Sequence, residues 1–253
     1  MPDDSKPQLV ARAAAILRAI AALEPEGGST AGIARAAGLA RPTTHRVLSA
    51  LAEQGLVDRD KRSARWTLGP ELYLLGTLAA ARYDITDQAG GVLRRLARDT
   101  GESAFLSARR GDETVCLAAE EGTFPLRSHV LHIGIRFPLG VASAGLAILA
   151  HLPDREVDEY LTRSDLTGAW GPAHGTAALR ARLAEVLRDG YATNPGLIVE
   201  GSWGMAAAVF DRRDEPAWAL SLTGVETRFG DVRRRQLGEL LLQSAHDLGQ
   251  SLR

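Results

Sequence analysis

Cations and hydroxyl groups are concentrated at the start of one stretch, GLARPTTHRVLSALAEQGLV, which covers residues 38–57. Its second half has the apolar spacing of an amphipathic helix, and its first acid, Glu53, comes only near the end. The positive end of a helix dipole normally favours acids in the first turn. A first turn that holds Arg41, Pro42 and Arg46 instead predicts an anion from outside the helix, and helix N-termini readily bind phosphate.

The helical register divides the residues of this stretch between two faces. Leu39, Thr44 and Val47 fall on the inward side, where we expect Thr44 to pack with its hydroxyl bonded locally. The outward side presents long cations and small hydroxyl groups. It consists of Ala40, Arg41, Pro42, Thr43, His45, Arg46 and Ser49.

The surrounding residues predict a winged helix-turn-helix. Ala34 and Gly38 are four residues apart, which suits a small residue at a helix crossing followed by a glycine with positive φ in the turn. An apolar helix over residues 9–23 precedes them. Two short strand-like pieces, LVDRD and ARWTL, follow the stretch and are joined by a charged turn. Three helices and a basic hairpin therefore form one compact unit.

In such a unit the outward helix enters the major groove of DNA. We expect Arg41 to contact phosphate, Arg46 to reach a guanine, and the cations of the hairpin to bind phosphates or the minor groove. We expect Ser29 or Thr30 to cap the preceding helix, and both residues are included in the predicted DNA interface. The predicted DNA-binding residues are Ser29, Thr30, Arg41, Pro42, Thr43, His45, Arg46, Ser49, Lys61, Arg62 and Arg65.

The charge distribution agrees with this prediction. The 253-residue chain has a net charge of −1, yet residues 1–70 hold ten lysines and arginines against seven acids, which gives +3 and leaves −4 for the remainder. Only the N-terminal part is therefore expected to meet a polyanion. The single cysteine, Cys116, and the absence of a secretion signal or of about 18 consecutive apolar residues predict a cytoplasmic protein without membrane contact.

The rest of the chain mixes helices and strands. A connecting helix is predicted from Glu71 to about Tyr83, and later helices at about 86–99, 141–152, 154–162, 176–189 and 231–252. The strand-like runs are SAFLSARR, ETVCLAAE, PLRSHVLH, GMAAAVFD and PAWALSLTG. Because their order lacks a regular βαβ alternation, we predict an α+β fold with an antiparallel sheet. We expect the last helix to cover that sheet, with Arg233, Arg234 and Arg235 in solvent.

The chain resembles a known family along nearly its whole length. The run ILRAIAAL…STAGIARAAGLARPTTHRVLSALAEQGLVDRD…RWTLGPELYLLG resembles the N-terminal domain of IclR-type bacterial transcriptional regulators. The segments LRRLARDTGESAFLSA, GIRFPLGVASAGLAILAHL and GMAAAVFD…ALSLTG resemble their effector-binding domain. The resemblance implies a winged helix-turn-helix over residues 1–69, a linker helix over 70–84 and a GAF-like effector domain over 85–253. It also implies homodimers that can pair into tetramers, and pairing through the helix at 9–23.

The resemblance further implies where a small organic effector, a carboxylate or an aromatic acid, would bind. The glycine-rich entry PLGVASAG brings backbone amides to the start of a buried helix, which favours an anionic group. The matching effector-binding positions are Ser143, Ala144, Asn194, Gly204, Ser221 and Thr223. Relatives often carry an acid near Asn194, a cysteine at Gly204 and a lysine at Leu146, so the pocket of this chain has less charge and bulk. Trp203 and Met205 are expected to make it more apolar.

Two other functions stay open from the residues alone. An enzyme domain fused to a winged helix would need a nucleophile with a base in reach, and the chain has no GxSxG, P-loop, HExxH or GxGxxG motif. A winged helix that binds only proteins is disfavoured by the basic outward face. His129 and His132 have no further metal ligand at a suitable spacing, and Cys116 is expected in the core, so we predict no catalytic residue, metal or cofactor. The favoured function is a ligand-responsive regulator that represses a nearby catabolic operon by binding a pseudo-palindromic DNA operator.

Overall fold

The computed structural model describes residues 5–80 and 85–252, and the chain divides into two compact units, Met1–Tyr83 and Asp84–Arg253. The first unit contains helices α1 to α4 and a two-stranded antiparallel hairpin. Its elements are α1 Ser5–Ala21, α2 Thr30–Ala36, α3 Arg41–Glu53, β1 Val57–Arg59, β2 Trp66–Leu68 and α4 Pro70–Ala80. The predicted winged helix-turn-helix is confirmed, and the hairpin is its wing. The predicted end of the connecting helix near Tyr83 lies outside the described residues.

The core of the first unit explains why α3 presents one polar face. Val47, Leu48 and Leu51 of α3 are buried against Ile16 and Ile20 of α1. Thr44 is fully buried on the same side, and its Oγ1 donates to the Ala40 carbonyl over 3.1 Å. The hydroxyl is therefore satisfied locally and costs little to bury. The inward orientation expected for Thr44 is confirmed.

The turn between α2 and α3 needs both small residues that the spacing indicated. Gly38 has φ of +66°, a conformation that costs a residue with a Cβ about 1–2 kcal/mol. Ala34 is buried, and its carbonyl accepts from the Leu39 amide over 2.9 Å. The turn is thus fixed by backbone bonds, and it sets the direction in which α3 leaves.

The second unit is an antiparallel sheet with helices on both faces. Its strands are β3 Ser103–Arg110, β4 Glu113–Glu120, β5 Arg136–Pro138, β6 Ala192–Pro195, β7 Ser202–Phe210 and β8 Pro216–Val225, in the order β5-β4-β3-β8-β7-β6. Its helices are α5 Ile85–Thr100, α6 Ser143–Ala150, α7 Asp154–Arg163, α8 Thr167–Trp170, α9 Thr176–Asp189 and α10 Asp231–Ser251. The predicted α+β class with an antiparallel sheet is confirmed.

Alternation along the strands sorts side chains between two cores. Leu220 and Leu222 of β8 belong to the cluster that α5 and α10 cover, together with Met205 of β7. Ser221 and Thr223 fall on the opposite face, because successive side chains of a strand point to opposite sides. That face also carries Phe105 and packs against α6 and α9.

Several details of the sequence prediction were wrong. The run PLRSHVLH at 125–132 is a loop, because its apolar residues do not share a face: Leu126 is 64% exposed whereas Leu131 is buried. Met205 and Trp203 were expected to make the effector pocket more apolar. Instead, Met205 and the Trp203 ring pack on the α10 side of the sheet, because alternate residues of β7 point to that face. Strands β5 and β6, with the sequences RFP and ATNP, were not predicted, because neither segment has an alternating apolar pattern.

The expectation that the arginines at the start of α10 are simply solvated was wrong for Arg233 and Arg234, whereas Arg235 is exposed as expected. Arg233 Nη2 donates to the Thr100 carbonyl (2.6 Å) and to Glu102 Oε1 (3.0 Å), and Arg228 Nε donates to the same oxygen (2.5 Å). The Glu102 side chain is only 1% exposed. Arg234 lies over the Trp203 ring at 5.1 Å. This ion cluster fixes the start of α10 to the end of α5.

Replacement of Glu102 by alanine should destabilise the second unit by about 3–5 kcal/mol, because it leaves two partly buried guanidinium groups without their carboxylate. The control is Glu159→Ala, which removes an exposed ion pair with Arg155 (2.8 Å) and should cost less than about 1 kcal/mol. Chemical unfolding followed by circular dichroism measures both. Equal effects of the two substitutions would contradict the role given to the cluster.

Candidate functional site

The start of α3 is open to an external anion. Its N-cap residue is Ala40, no side chain caps the helix, and the first turn holds no acid. Arg41, His45 and Arg46 are exposed, and Thr43 is half-buried. Ser49, one turn further on, is also half-buried, and Pro42 is exposed in the first turn. The structure thus brings the predicted residues of α3 onto one surface.

The start of α2 is capped within the fold. Ser29 is the N-cap residue, and its Oγ accepts from the Gly32 amide over 3.1 Å. Thr30 Oγ1 accepts from the indole N–H of Trp66 over 3.0 Å, so it joins α2 to the wing. Ser29 and Thr30 therefore have structural tasks, which their side chains perform without DNA.

The tip of the wing carries two exposed cations, Lys61 and Arg62. Asp60 shapes the turn, because its Oδ1 accepts from the amides of Arg62 (3.0 Å) and Ser63 (2.6 Å) and from the Ser63 hydroxyl (2.8 Å). The bonds from Ser63 lower the pKa of Asp60, so the turn keeps its carboxylate to a more acidic pH than a free aspartate would. The turn therefore holds the two cations at the end of the hairpin.

Arg65 has a different environment from the other wing cations. Its Nε and Nη2 both donate to the Gly27 carbonyl, over 3.1 and 2.8 Å. Trp66 and Gly28 exchange two backbone bonds beside it (2.9 and 2.8 Å). Arg65 was predicted as a phosphate contact, but in the fold its guanidinium attaches the wing to the segment before α2.

In the second unit, the predicted effector positions converge on one face of the sheet. Asn194, Gly204 and Thr223 are paired in register across β6, β7 and β8. With Ser143 at the start of α6 they line a cavity of about 20 Å³, room for about one water molecule. Ala144 and Ser221 are buried. A Cβ on Gly204 would lie 3.1 Å from Ser143 Oγ, so the glycine allows α6 to approach the sheet closely.

Two hydroxyl groups on this face of the sheet have no hydrogen-bond partner among the described residues, and Thr223, which carries one of them, lines the cavity. Ser221 Oγ and Thr223 Oγ1 are buried without a hydrogen bond to any described residue. The N-cap of α6 is Ala142, which offers no side-chain cap, and no described group accepts from the amides of Ser143 and Ala144. Buried polar groups normally find partners, so this arrangement suits a ligand with oxygen atoms.

Asn194 lines the cavity, but its amide group is engaged. Its Nδ2 donates to the Val141 carbonyl over 2.7 Å, and its Oδ1 accepts from the Leu197 amide over 3.0 Å. The side chain therefore ties the loop after β6 to the turn before α6. It was predicted as a ligand contact, and the structure gives it a positioning task.

Sequence reasoning missed the loop residues that close the cavity. Val130, Leu131 and Ile198 supply apolar walls, and Ser202 Oγ lies 2.5 Å from Ser128 Oγ. Clefts of about 380 and 430 Å³ lie on other sides of the loop that contains Ser128. The apolar pattern of this loop was visible in the sequence, but it was interpreted as a strand.

Other reactive side chains lie apart from this cavity. Cys116 is buried in the core, as expected, and burial raises the pKa of its thiol to about 12. Across residues 5–80 and 85–252, no group of three or more His, Cys, Asp or Glu could hold a metal ion. None of the helices in those ranges is long and apolar enough to span a lipid bilayer.

Two family models match the chain. The IclR helix-turn-helix domain matches residues 9–61, and the bacterial transcriptional regulator IclR C-terminal domain matches residues 77–250. The chain belongs to the IclR family. It is therefore a DNA-binding transcriptional regulator that responds to a ligand.

Relatives of this IclR-family regulator have the same class of function. It is 34% identical to the HTH-type transcriptional regulator TtgV of Pseudomonas putida, over 77% of this chain and 73% of TtgV. It is 26% identical to the transcriptional repressor IclR of Escherichia coli, over 85% and 80% of the two chains. A solved IclR homologue from Microbacterium hydrocarbonoxydans, complexed with 4-hydroxybenzoate, has the same fold, with a TM-score of 0.74, 23% identity and coverage of 96% and 98%.

The attachment of Arg65 to Gly27 predicts coupling within the wing. Arg65→Ala should weaken binding to duplex DNA about tenfold, because the wing loses its fixed position, and Arg62→Ala should then have little further effect. Fluorescence anisotropy of the single and double variants measures this coupling. Arg65→Lys is the control, because lysine keeps the positive charge and can still donate one hydrogen bond to the Gly27 carbonyl. Strictly additive effects would instead identify Arg65 as an independent phosphate contact.

Proposed function

We propose that this IclR-family regulator represses a nearby catabolic operon and is released by a small organic acid. A homodimer binds a pseudo-palindromic operator, and the effector weakens that complex by binding alone, without catalysis. The observation that carries the proposal is the uncapped, acid-free start of α3 with Arg41, His45 and Arg46 exposed around it. The repressor named IclR among its relatives supports the sign of regulation.

The DNA complex follows from that surface. The α3 helix enters the major groove with its N-terminal end first, so its open amides and Arg41 meet phosphates. Arg46 makes a bidentate contact to a guanine, with Thr43, His45 and Ser49 beside it on base edges. Lys61 and Arg62 at the tip of the wing bind phosphates or the minor groove.

Exposed apolar side chains support a homodimer. Tyr73 and Leu78 of α4 are each 76% exposed, and Leu74 and Leu75 are also exposed. Leu9 and Val10 of α1 are likewise in solvent, whereas α1 buries only its other side. Contiguous exposed apolar residues of this size mark an interface more often than a free surface. We assign α1 and α4 to subunit pairing, and further pairing of dimers into tetramers to the second unit.

The effector binds at the cavity between α6, β7 and β8. Carboxylate oxygens accept from the amides of Ser143 and Ala144 and from the hydroxyls of Ser221 and Thr223, and Gly204 lets α6 lie close enough to the sheet for both sets of donors to reach the ligand. The apolar part of the ligand contacts Val130, Leu131 and Ile198. The Microbacterium homologue complexed with 4-hydroxybenzoate supports an aromatic acid as the ligand. Because the closed cavity holds only about 20 Å³, the loop over it must move aside.

Regulation requires two states with different affinities for the effector. An effector that binds better when the loop around Val130 has moved shifts the population towards that state. We assign the change in DNA affinity to this shift, transmitted through the connecting helix α4.

The DNA model predicts different consequences for two cations. Arg46→Ala should weaken binding to the DNA upstream of the protein's own gene by about tenfold or more and relax base preference, because a base contact is lost. Arg62→Ala should weaken all duplexes alike and reduce the salt slope by about one. Arg155→Ala, which removes a 90% exposed cation on α7, is the matched control. Gel shifts at two salt concentrations test these outcomes, and unchanged binding and salt dependence in both variants would refute the model.

The effector model predicts opposite signs for stability and binding at Thr223. Thr223→Val should leave the free protein equally or more stable, because it removes a buried hydroxyl without a partner, yet weaken 4-hydroxybenzoate binding several-fold. Ser221→Ala should behave similarly. Thr100→Val is the control, since its buried hydroxyl donates to the Leu96 carbonyl (2.6 Å) and accepts from the Glu102 amide (3.0 Å), so it should destabilise. Thermal shift with and without the acid separates the two effects. Loss of stability in Thr223→Val with unchanged binding would contradict the assignment.

A further inference from the structure

The turn before α6 is held by side chains from three different elements. Tyr160 of α7 donates its hydroxyl to the Leu139 carbonyl over 2.6 Å, and Arg182 of α9 donates Nη1 to the Gly140 carbonyl over 3.4 Å. Asn194 of β6 donates to the Val141 carbonyl, as described above. Three successive carbonyls of the turn are thus bound by side chains. The amides of Ser143 and Ala144, at the start of α6, have no partner among the described residues.

Arg182 is unusual among these three donors. Its Nη2 is shielded from solvent and has no hydrogen-bond partner among the described residues, and no ion pair is formed with it there. Burial lowers the pKa of its guanidinium to about 10, and Glu185, which is exposed, acts on it only through space. At neutral pH the group is still protonated. A shielded positive charge of α9 therefore lies beside the Gly140 carbonyl, and Gly140 is three residues before the first residue of α6.

None of the residues that line the cavity is charged. They are Val130, Leu131, Ala142, Ser143, Asn194, Ile198, Ser202, Trp203, Gly204 and Thr223. His174, which is buried and interacts with Arg182 and the Val141 backbone, adds no positive charge, because burial lowers the pKa of its imidazole. Arg182 is then the cation associated with the turn, and the dipole of α6 adds positive potential of the same sign.

We propose that Arg182 is a positioning residue of the effector site that also makes the site prefer an anion over a neutral ligand of the same shape. The inference rests on the proposed function, because it concerns the ligand of that cavity. Arg182 fixes the Gly140 peptide so that the amides of α6 face the cavity. Its charge, shielded from water, attracts a carboxylate across the turn more strongly than an exposed cation would.

The test compares two probes of the same shape, 4-hydroxybenzoate and 4-hydroxybenzamide, by calorimetric titration of the full-length protein. The wild type should bind the acid at least about tenfold more tightly than the amide. Arg182→Met should weaken the acid at least about tenfold more than the amide, because it removes the charge as well as the donor to the Gly140 carbonyl. Arg182→Lys keeps the charge and should retain most of the preference for the acid.

Tyr160→Phe is the matched control, because it removes a donor to the same turn without changing charge. It should weaken acid and amide by the same factor. The inference is overturned if Arg182→Met also weakens both probes equally, if the wild type binds the amide as tightly as the acid, or if it binds neither. Failure of the effector site itself is recognised separately: Thr223→Val then leaves the affinity of both probes unchanged.

Discussion

A helix that begins without a cap needs an oxygen atom from elsewhere, and both proposed sites of this protein depend on that need. Helix α3 starts after Ala40 and helix α6 starts after Ala142. Neither alanine has a side-chain oxygen that could accept from the free amides of the first turn. In contrast, α2 is closed by the Ser29 hydroxyl. The fold therefore closes the start of α2 internally, whereas α3 and α6 have uncapped starts that we assign to ligands: DNA phosphates at α3 and a carboxylate at α6. Other helices, such as α9 and α10, also lack a side-chain cap, so the assignment rests on the groups around α3 and α6 as well.

The two sites differ in how the surrounding chain keeps them open. At α3 the inward face is apolar apart from Thr44, which bonds within its own helix, so the outward cations are placed by packing alone. At α6 the helix is buried, and openness is maintained by side chains that bind the preceding carbonyls. Surface charge suits a polyanion that approaches from solvent, whereas a shielded site suits a small molecule that must leave water.

The sequence predicted what depends on local spacing and missed what depends on distant contacts. The register of α3, the glycine turn at Gly38 and the bounds of α9 follow from periodicity and turn chemistry. The bond from Arg65 to the Gly27 carbonyl spans 38 residues, and nothing in either segment indicates it. The effector positions were inferred from the resemblance to the family. Nothing in the sequence indicated that the side-chain amide of Asn194 binds the Val141 carbonyl and the Leu197 amide. Loop 125–132 was misassigned because alternation in the sequence was not matched by alternation of burial.

The small size of the closed effector cavity has a consequence for how ligands are discriminated. If only a fraction of molecules has the loop around Val130 displaced, the apparent dissociation constant equals the intrinsic one divided by that fraction. The hydroxyl pair of Ser128 and Ser202, at 2.5 Å, favours the closed form. Substitutions in this loop would then change the sensitivity of the regulator to every ligand in parallel, so the concentration at which it responds can evolve independently of the compound that it recognises.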